Sequence, residues 1–245
     1  MKLKDIQYIF HQELDAIYDK HEVDRFFFIL LESYYNITRI KLAVNPELIM
    51  DDNEKILNAL KRLKSQEPIQ YIIGQTEFFG LPFKVNQHIL IPRPETEELV
   101  DWILTSDPRP KTQDPAILDV GTGSGCIAIS LAKNLKNAKV YALDVSRKAL
   151  NVAIENAESN DVKVEFIEAD ILMTEVISDL KFDIIVSNPP YVRHLEKTQM
   201  KPNVLNNEPH LALFVEDENP LQFYKAITQF AVNNLKDNGM LFFEI

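Results

Sequence analysis

Ser187-Asn188-Pro189-Pro190-Tyr191 is the stretch of this chain best suited to chemistry. Two prolines in series fix the backbone, remove two N–H donors and leave carbonyls pointing outward. Asn188 can offer its side-chain oxygen and Pro189 its backbone oxygen. Together they can accept both hydrogens of one NH2 group. Tyr191 offers a flat face for a planar group. The set suits a planar, conjugated NH2, such as a carboxamide or an exocyclic base amine. An amide nitrogen is a poor nucleophile because its lone pair is delocalised. Two acceptors on its hydrogens raise electron density at nitrogen and stabilise charge developing there. Alignment of the reacting atoms supplies the rest, and this fits methyl transfer.

A second constellation is Gly121-Thr122-Gly123-Ser124-Gly125, which holds three of only six glycines. It lies between an expected strand and an expected helix. Glycines there allow a sharp turn and close approach of a ligand to backbone. Amide groups at the helix start add donors. Asp144 ends the next expected strand, 19 residues after Gly125, where an acid commonly takes ribose hydroxyls. A dinucleotide loop would want Gly or Ala at position 126, and this chain has Cys126. With Asp119 before it, the loop resembles the S-adenosylmethionine loop of class I methyltransferases. Cys126 reads as a small buried helix residue. His11, His21, His88, His194 and His210 are scattered without ligand spacing, so no metal site is expected. His194 reads as a solvated loop residue.

The elements that position these groups follow from pattern. AILDV (116–120), KVYALD (139–144), KVEFIEA (163–169), FDIIVSN (182–188) and GMLFFEI (239–245) read as strands. Helices are expected over 126–134, 147–158 and 221–235. This alternation implies a parallel sheet covered on both faces, with ligands at the carboxyl ends of the strands. Pro94 opens a helix to about Leu104, with Glu95, Glu97 and Glu98 near its positive end. SDPRPKTQDP (106–115) reads as a polar connector.

The first 65 residues read as helices. Ile6, Ile9, Phe10, Leu14 and Ile17 recur at helical spacing. A second helix is expected to open at Asp24 and bury the Phe26–Leu31 run. A third starts near Asp52 or Asn53 and buries Ile56, Leu57, Leu60 and Leu63. Residues 69–91 are rich in β-branched and aromatic types, with turn signals at Gly74 and Gly80–Pro82. They read as a β-hairpin, with strands near 70–79 and 82–90. The expected domains are 1–66, helical; 67–92, a hairpin linker; and 93–245, catalytic.

Composition bounds the reading. The 245 residues are 46% hydrophobic and 26% charged, normal for a globular protein. No apolar run approaches the roughly 20 residues of a membrane span. The mixed charges of the first residues do not form a secretory signal. One cysteine excludes an intrachain disulfide and any multi-cysteine metal site. These features point to the cytoplasm. Net charge is −11. Residues 93–245 carry 15 Lys/Arg against 24 Asp/Glu, a net −9, without the basic footprint usual in nucleic-acid binders.

NPPY behind such a loop resembles the amino-methyltransferases of adenine N6, guanine N2 and glutamine N5. Three segments narrow the resemblance. EPIQYIIGQTEFFGLPFKVNQHILIPRPETEELV (67–100), DVGTGSGCIAISLA (119–132) and NEPHLALFVEDENPLQFYKAI (207–227) resemble the protein-(glutamine-N5) methyltransferases that modify peptide chain release factors. The resemblance spans essentially the whole chain. It implies a class I S-adenosylmethionine-dependent methyltransferase domain of Rossmann-like α/β fold, and a small all-α N-terminal domain that grips the protein substrate. It also implies that Gly121, Thr122, Gly123, Ser124 and Gly125 line the methionine and ribose part of S-adenosyl-L-methionine. Asp144 would take the ribose hydroxyls, and Asp170 and Ile171 would flank the adenine. Asn188 would touch both cofactor and substrate, and Pro189, Pro190 and Tyr191 would hold the glutamine. Relatives often have an aromatic where Ile171 stands. Arg93 and Glu95 either support the site wall or simply start a helix. The family continues past the FFEI strand with a helix and two strands, so the chain reads as truncated, its fifth strand left as an edge. The expected protein is a monomer acting on release factors, not on nucleic acid or at a membrane. The alternatives are a DNA or RNA amino-methyltransferase, against which the acidic catalytic domain counts, and a non-catalytic binding module, against which the intact Asn188–Tyr191 set counts.

Overall fold

A computed structural model describes residues 1–106, 114–173 and 180–245. Positions 107–113 of the expected connector lie outside the described residues. Contacts divide the chain into two compact units, Met1–Gly74 and Gln75–Ile245.

The first unit is helical: α1 (Leu3–Leu14), α2 (Lys20–Tyr35), α3 (Arg39–Val44), α4 (Glu54–Lys64) and α5 (Ile69–Ile73). Leu3, Ile6, Phe10 and Leu14 form the buried stripe of α1. Ile17, expected on that stripe, lies past the helix end and is exposed. The second helix opens earlier than expected. Asp19, not Asp24, is its N-cap and accepts the His21 N–H at 2.8 Å. The earlier start places Val23 on the buried face with Phe26, Phe27, Leu30 and Leu31. Asp24 instead sits inside the helix and accepts from Gln7 at 2.7 Å. Phe27 meets Phe10 edge to face at 5.4 Å, a favoured aromatic geometry. Ile56, Leu60 and Leu63 of α4 complete the core.

Residues 69–73 overturn the expected long strand. Pro68 stands at the N-cap, and Gly74 ends α5 in the left-handed region at φ 77°. These two punctuators enclose a single helical turn that buries Ile69, Tyr71 and Ile72. End signals prevailed over β-branched composition.

The second unit begins with the hairpin, shorter than expected: β1 (Gln75–Phe78) pairs antiparallel with β2 (Leu81–Lys84). The other elements are α6 (Pro94–Thr105), β3 (Ala116–Val120), α7 (Cys126–Asn134), β4 (Lys139–Asp144), α8 (Arg147–Ser159), β5 (Glu165–Glu168), β6 (Phe182–Ser187), β7 (Val192–Arg193), α9 (Pro202–Asn207), β8 (Phe214–Val215), α10 (Gln222–Asn234) and β9 (Leu235–Phe243). The main sheet is parallel, in the order β5-β4-β3-β6-β9. Interior strand β6 is buried along its whole length. The last strand begins at Leu235, four residues before the expected start at Gly239, with an irregular register near its beginning. It occupies a sheet edge, where Phe242 is buried against the edge-on Trp102 ring at 5.1 Å. Leu241 is half-buried.

Buried Asn156 locks the hairpin to the helical layer. Its amide donates to the Lys84 and Ser124 carbonyls at 3.1 and 2.9 Å, and its oxygen accepts the Lys84 N–H at 2.7 Å. Asn160 adds a bond to the Pro82 carbonyl at 2.9 Å.

Candidate active site

Strand register brings the functional segments to one edge of the sheet. Val120 stands opposite both Leu143 and Ser187, and Asp144 opposite Glu168. The loops that follow β3, β4, β5 and β6 therefore open side by side. They border one cleft, lined from all four loops.

The glycine loop has φ values of 74°, 54° and 82° at Gly121, Gly123 and Gly125. At the first two, a Cβ would meet nothing within 4 Å. Both line the cleft, so the backbone is bare where a ligand can approach it. Gly125 serves packing instead: a Cβ there would lie 2.8 Å from Ile129 Cδ1 and 3.2 Å from Ala153 Cβ. Thr122 and Ser124 are buried. The Thr122 hydroxyl donates to Asp119 Oδ2 at 2.6 Å.

Asp144 lines the cleft and braces the loop. Its Oδ2 accepts the Gly123 N–H at 2.9 Å, and its Oδ1 the Ser146 N–H at 2.8 Å. Burial raises its pKa, opposed by these backbone donors. Behind the loop, Asp119 is fully buried. Its Oδ2 also accepts the Ala128 N–H at 3.2 Å, while Oδ1 has no hydrogen-bond partner. Burial pushes its pKa up to about 7 against the Thr122 and Ala128 donors, and nearby Asp144 adds to the rise. Burial likewise pushes the Cys126 thiol up to about 12, which suits a packing residue and not a nucleophile.

Asp170 and Ile171 follow β5 and line the cleft; Asp170 Oδ1 accepts the Leu172 N–H at 2.9 Å. Asn188, Pro189 and Pro190 line it from β6. Tyr191 is not among the residues that line it. It is 50% exposed and borders a neighbouring shallow groove with Arg193, Met200 and Pro220. His194 is half-buried and stacks on Phe214 at 5.4 Å rather than standing free in solvent.

Several cleft residues escaped the sequence reading. His88, Ile89 and Leu90 form part of the wall, as does Phe223 of α10. Asn86 could have signalled the first group. Its Oδ1 accepts the His88 N–H at 2.9 Å, an Asx turn that bends the chain there. Phe223 gave no signal beyond helical periodicity. Among the described residues, no cluster of three His, Cys, Asp or Glu could hold a metal ion, and no helix is long and apolar enough to cross a membrane.

The parallel sheet, the glycine loop after β3 and the cleft at the strand ends define an S-adenosylmethionine-dependent methyltransferase of class I. The Methyltransferase small domain family matches residues 103–213, and the PrmC N-terminal domain family residues 14–74. The hMettl16 catalytic domain, solved with the MAT2A 3'UTR hairpin 1, shares the fold with a TM-score of 0.51 at 19% identity, over 85% of this chain and 75% of that one. Two curated proteins are much more similar in sequence. The release factor glutamine methyltransferase of Flavobacterium psychrophilum is 53% identical over 100% of this chain and 87% of its own length. That of Bacteroides thetaiotaomicron is 44% identical over 96% and 84%. The chain belongs to the release factor glutamine methyltransferase family.

Proposed function

We propose that this protein transfers a methyl group from S-adenosyl-L-methionine to the side-chain amide nitrogen, N5, of a glutamine in peptide chain release factors. The observation that carries this reading is the place of Asn188 and Pro189. They follow β6 and line the same cleft as the bare backbone of Gly121 and Gly123.

The residues present fit the cofactor. The open space in front of Gly121 and Gly123 would receive its methionine and ribose part, at the loop that also includes Thr122, Ser124 and Gly125. Asp144 would accept its ribose hydroxyls, and Asp170 with Ile171 would border its adenine. When bound, the cofactor supplies an electrophilic methyl group. Asn188 Oδ1 and the Pro189 carbonyl accept the two hydrogens of the substrate amide. They keep its nitrogen in place and oppose the positive charge that grows there as a fourth bond forms. No strong base is required, because the proton can leave after the methyl arrives. Pro190 and Tyr191 would help to hold the glutamine, Tyr191 from the exposed groove that it borders. In this reading the protein works in the cytoplasm as a monomer, and its acidic charge favours a protein substrate over nucleic acid.

Paired variants test the division of labour. Asp144→Ala weakens calorimetric binding of S-adenosylhomocysteine by about 1–3 kcal/mol, as for a lost charged hydrogen-bond partner. Asn188→Ala loses turnover by on the order of 100-fold, far more than it loses that affinity. Near-normal turnover in Asn188→Ala refutes the two-acceptor mechanism.

A further inference from the structure

Asn188 can accept from a substrate NH2 only if its oxygen, and not its nitrogen, faces the cleft. Side-chain amides flip easily, so something behind Asn188 must choose. The Asn188 Nδ2 faces the Thr96 hydroxyl at 3.4 Å. Thr96 is buried in the first turn of α6. Glu244, just past β9, lies beside both. Burial raises the pKa of its carboxylate, and the Thr96 and Asn188 side chains, close enough to act on it, oppose the rise. The backbone holds Glu244 there from two sides: its N–H donates to the Ser187 carbonyl at 3.1 Å, and its carbonyl accepts the Tyr224 hydroxyl at 3.0 Å. It does not line the cleft. Its Oε2 is buried and makes no hydrogen bond, an acceptor still to be satisfied.

We propose that Glu244, with Thr96, is the positioning pair of the active site. The carboxylate accepts only, so it draws the Asn188 Nδ2 toward itself and turns Oδ1 into the cleft. The long Asn188–Thr96 bond and the unsatisfied Glu244 oxygen describe a shell that tightens when substrate arrives, as catalytic hydrogen bonds often do. Glu244 touches neither substrate nor cofactor and acts through Asn188. This inference rests on the glutamine reading for its chemistry, but not for its geometry.

The test measures methyl transfer to a purified release factor by E244A, E244Q and T96V, with melting, S-adenosylhomocysteine affinity and the nitrogen NMR signal of the Asn188 side chain. The pair predicts that E244A loses kcat by on the order of 10- to 100-fold, as for a misplaced reacting group. KM and S-adenosylhomocysteine affinity stay unchanged, and the Asn188 NH2 signals shift. E244Q, which keeps an acceptor, retains kcat within about fivefold, less than loss of a supporting partner costs. T96V lowers kcat with native melting, which decides the matter if E244A fails to fold. Unchanged kcat in folded E244A, or in T96V, overturns the proposal, as does a loss that merely parallels lower melting and weaker S-adenosylhomocysteine binding. If the wild type itself leaves release factors unmethylated, the substrate reading fails. The positioning role then stands or falls on the Asn188 signals, and an unshifted NH2 pair in E244A overturns it.

Discussion

One guanidinium nitrogen of Arg93, Nη2, donates to both carboxylate oxygens of Glu208, at 2.7 and 2.8 Å. The partners are 115 residues apart in sequence. Arg93 is the N-cap residue of α6, and Glu208 closes α9. The Ile91 N–H points at the same carboxylate from 3.4 Å. Pro209, next to Glu208, lines the cleft, so the ion pair ties the wall of the site to the start of α6. The Glu208 side chain is 1% exposed and that of Arg93 31%.

Removing Arg93 leaves a buried carboxylate without its countercharge. Arg93→Met is expected to destabilise the protein by about 2–4 kcal/mol, at the low side of the range for a broken buried pair because Arg93 keeps some solvent. Adding Glu208→Gln to it recovers part of the loss. Chemical denaturation of both variants checks this, and an unchanged midpoint for Arg93→Met contradicts it.

Asp119 makes stability depend on pH. Its folded pKa of about 7 lies above the ordinary carboxylate value. Between about pH 4 and 7 the folded state therefore binds more protons at this site than the unfolded state, so stability falls as pH rises through that window. The penalty is complete above the folded pKa and absent below the unfolded one. Asp119→Asn removes this contribution. Melting curves from pH 4 to 8 are expected to show the wild type losing stability relative to the variant over pH 4–7. Parallel curves count against the buried carboxylate.

The loop glycines separate into two kinds. An alanine at 121 meets open space, while one at 125 meets Ile129 and Ala153. Both pay left-handed backbone strain of about 1–3 kcal/mol. Gly125→Ala adds a steric clash and is expected to lose more stability. Gly121→Ala is expected to fold better yet lose S-adenosylhomocysteine affinity out of proportion, since its methyl projects where ligand would lie. Denaturation and calorimetry on the two proteins check the contrast. Equal effects in both assays contradict it.

How much of this was legible beforehand depends on what signalled each part. The sheet was legible because β3, β4 and β6 are short apolar runs bounded by turn residues and alternate with helical patterns. The place of the glycine loop at the cleft was legible because its left-handed φ values call for glycine, and that of Asn188 because it directly follows an apolar strand. The helix at 69–73 was not. Ile and Tyr look like a strand until Pro68 and Gly74 are given their full weight as end signals. Asp19 and Asp24 are equally good caps in isolation, and the burial of Val23 decides between them. The Arg93–Glu208 pair and the Glu244–Thr96–Asn188 contacts join distant segments through side chains, and nothing local announces such contacts. That Tyr191 is 50% exposed and borders a second groove was not legible from its place after NPP.

The central claim is most directly tested by mixing the protein with methyl-labelled S-adenosylmethionine, a folded release factor and duplex DNA, then digesting and mapping the label by mass spectrometry. The account predicts label on the side-chain amide of a single release-factor glutamine and none on DNA, with transfer lost in Asn188→Ala. Label on DNA with none on the release factor would contradict it.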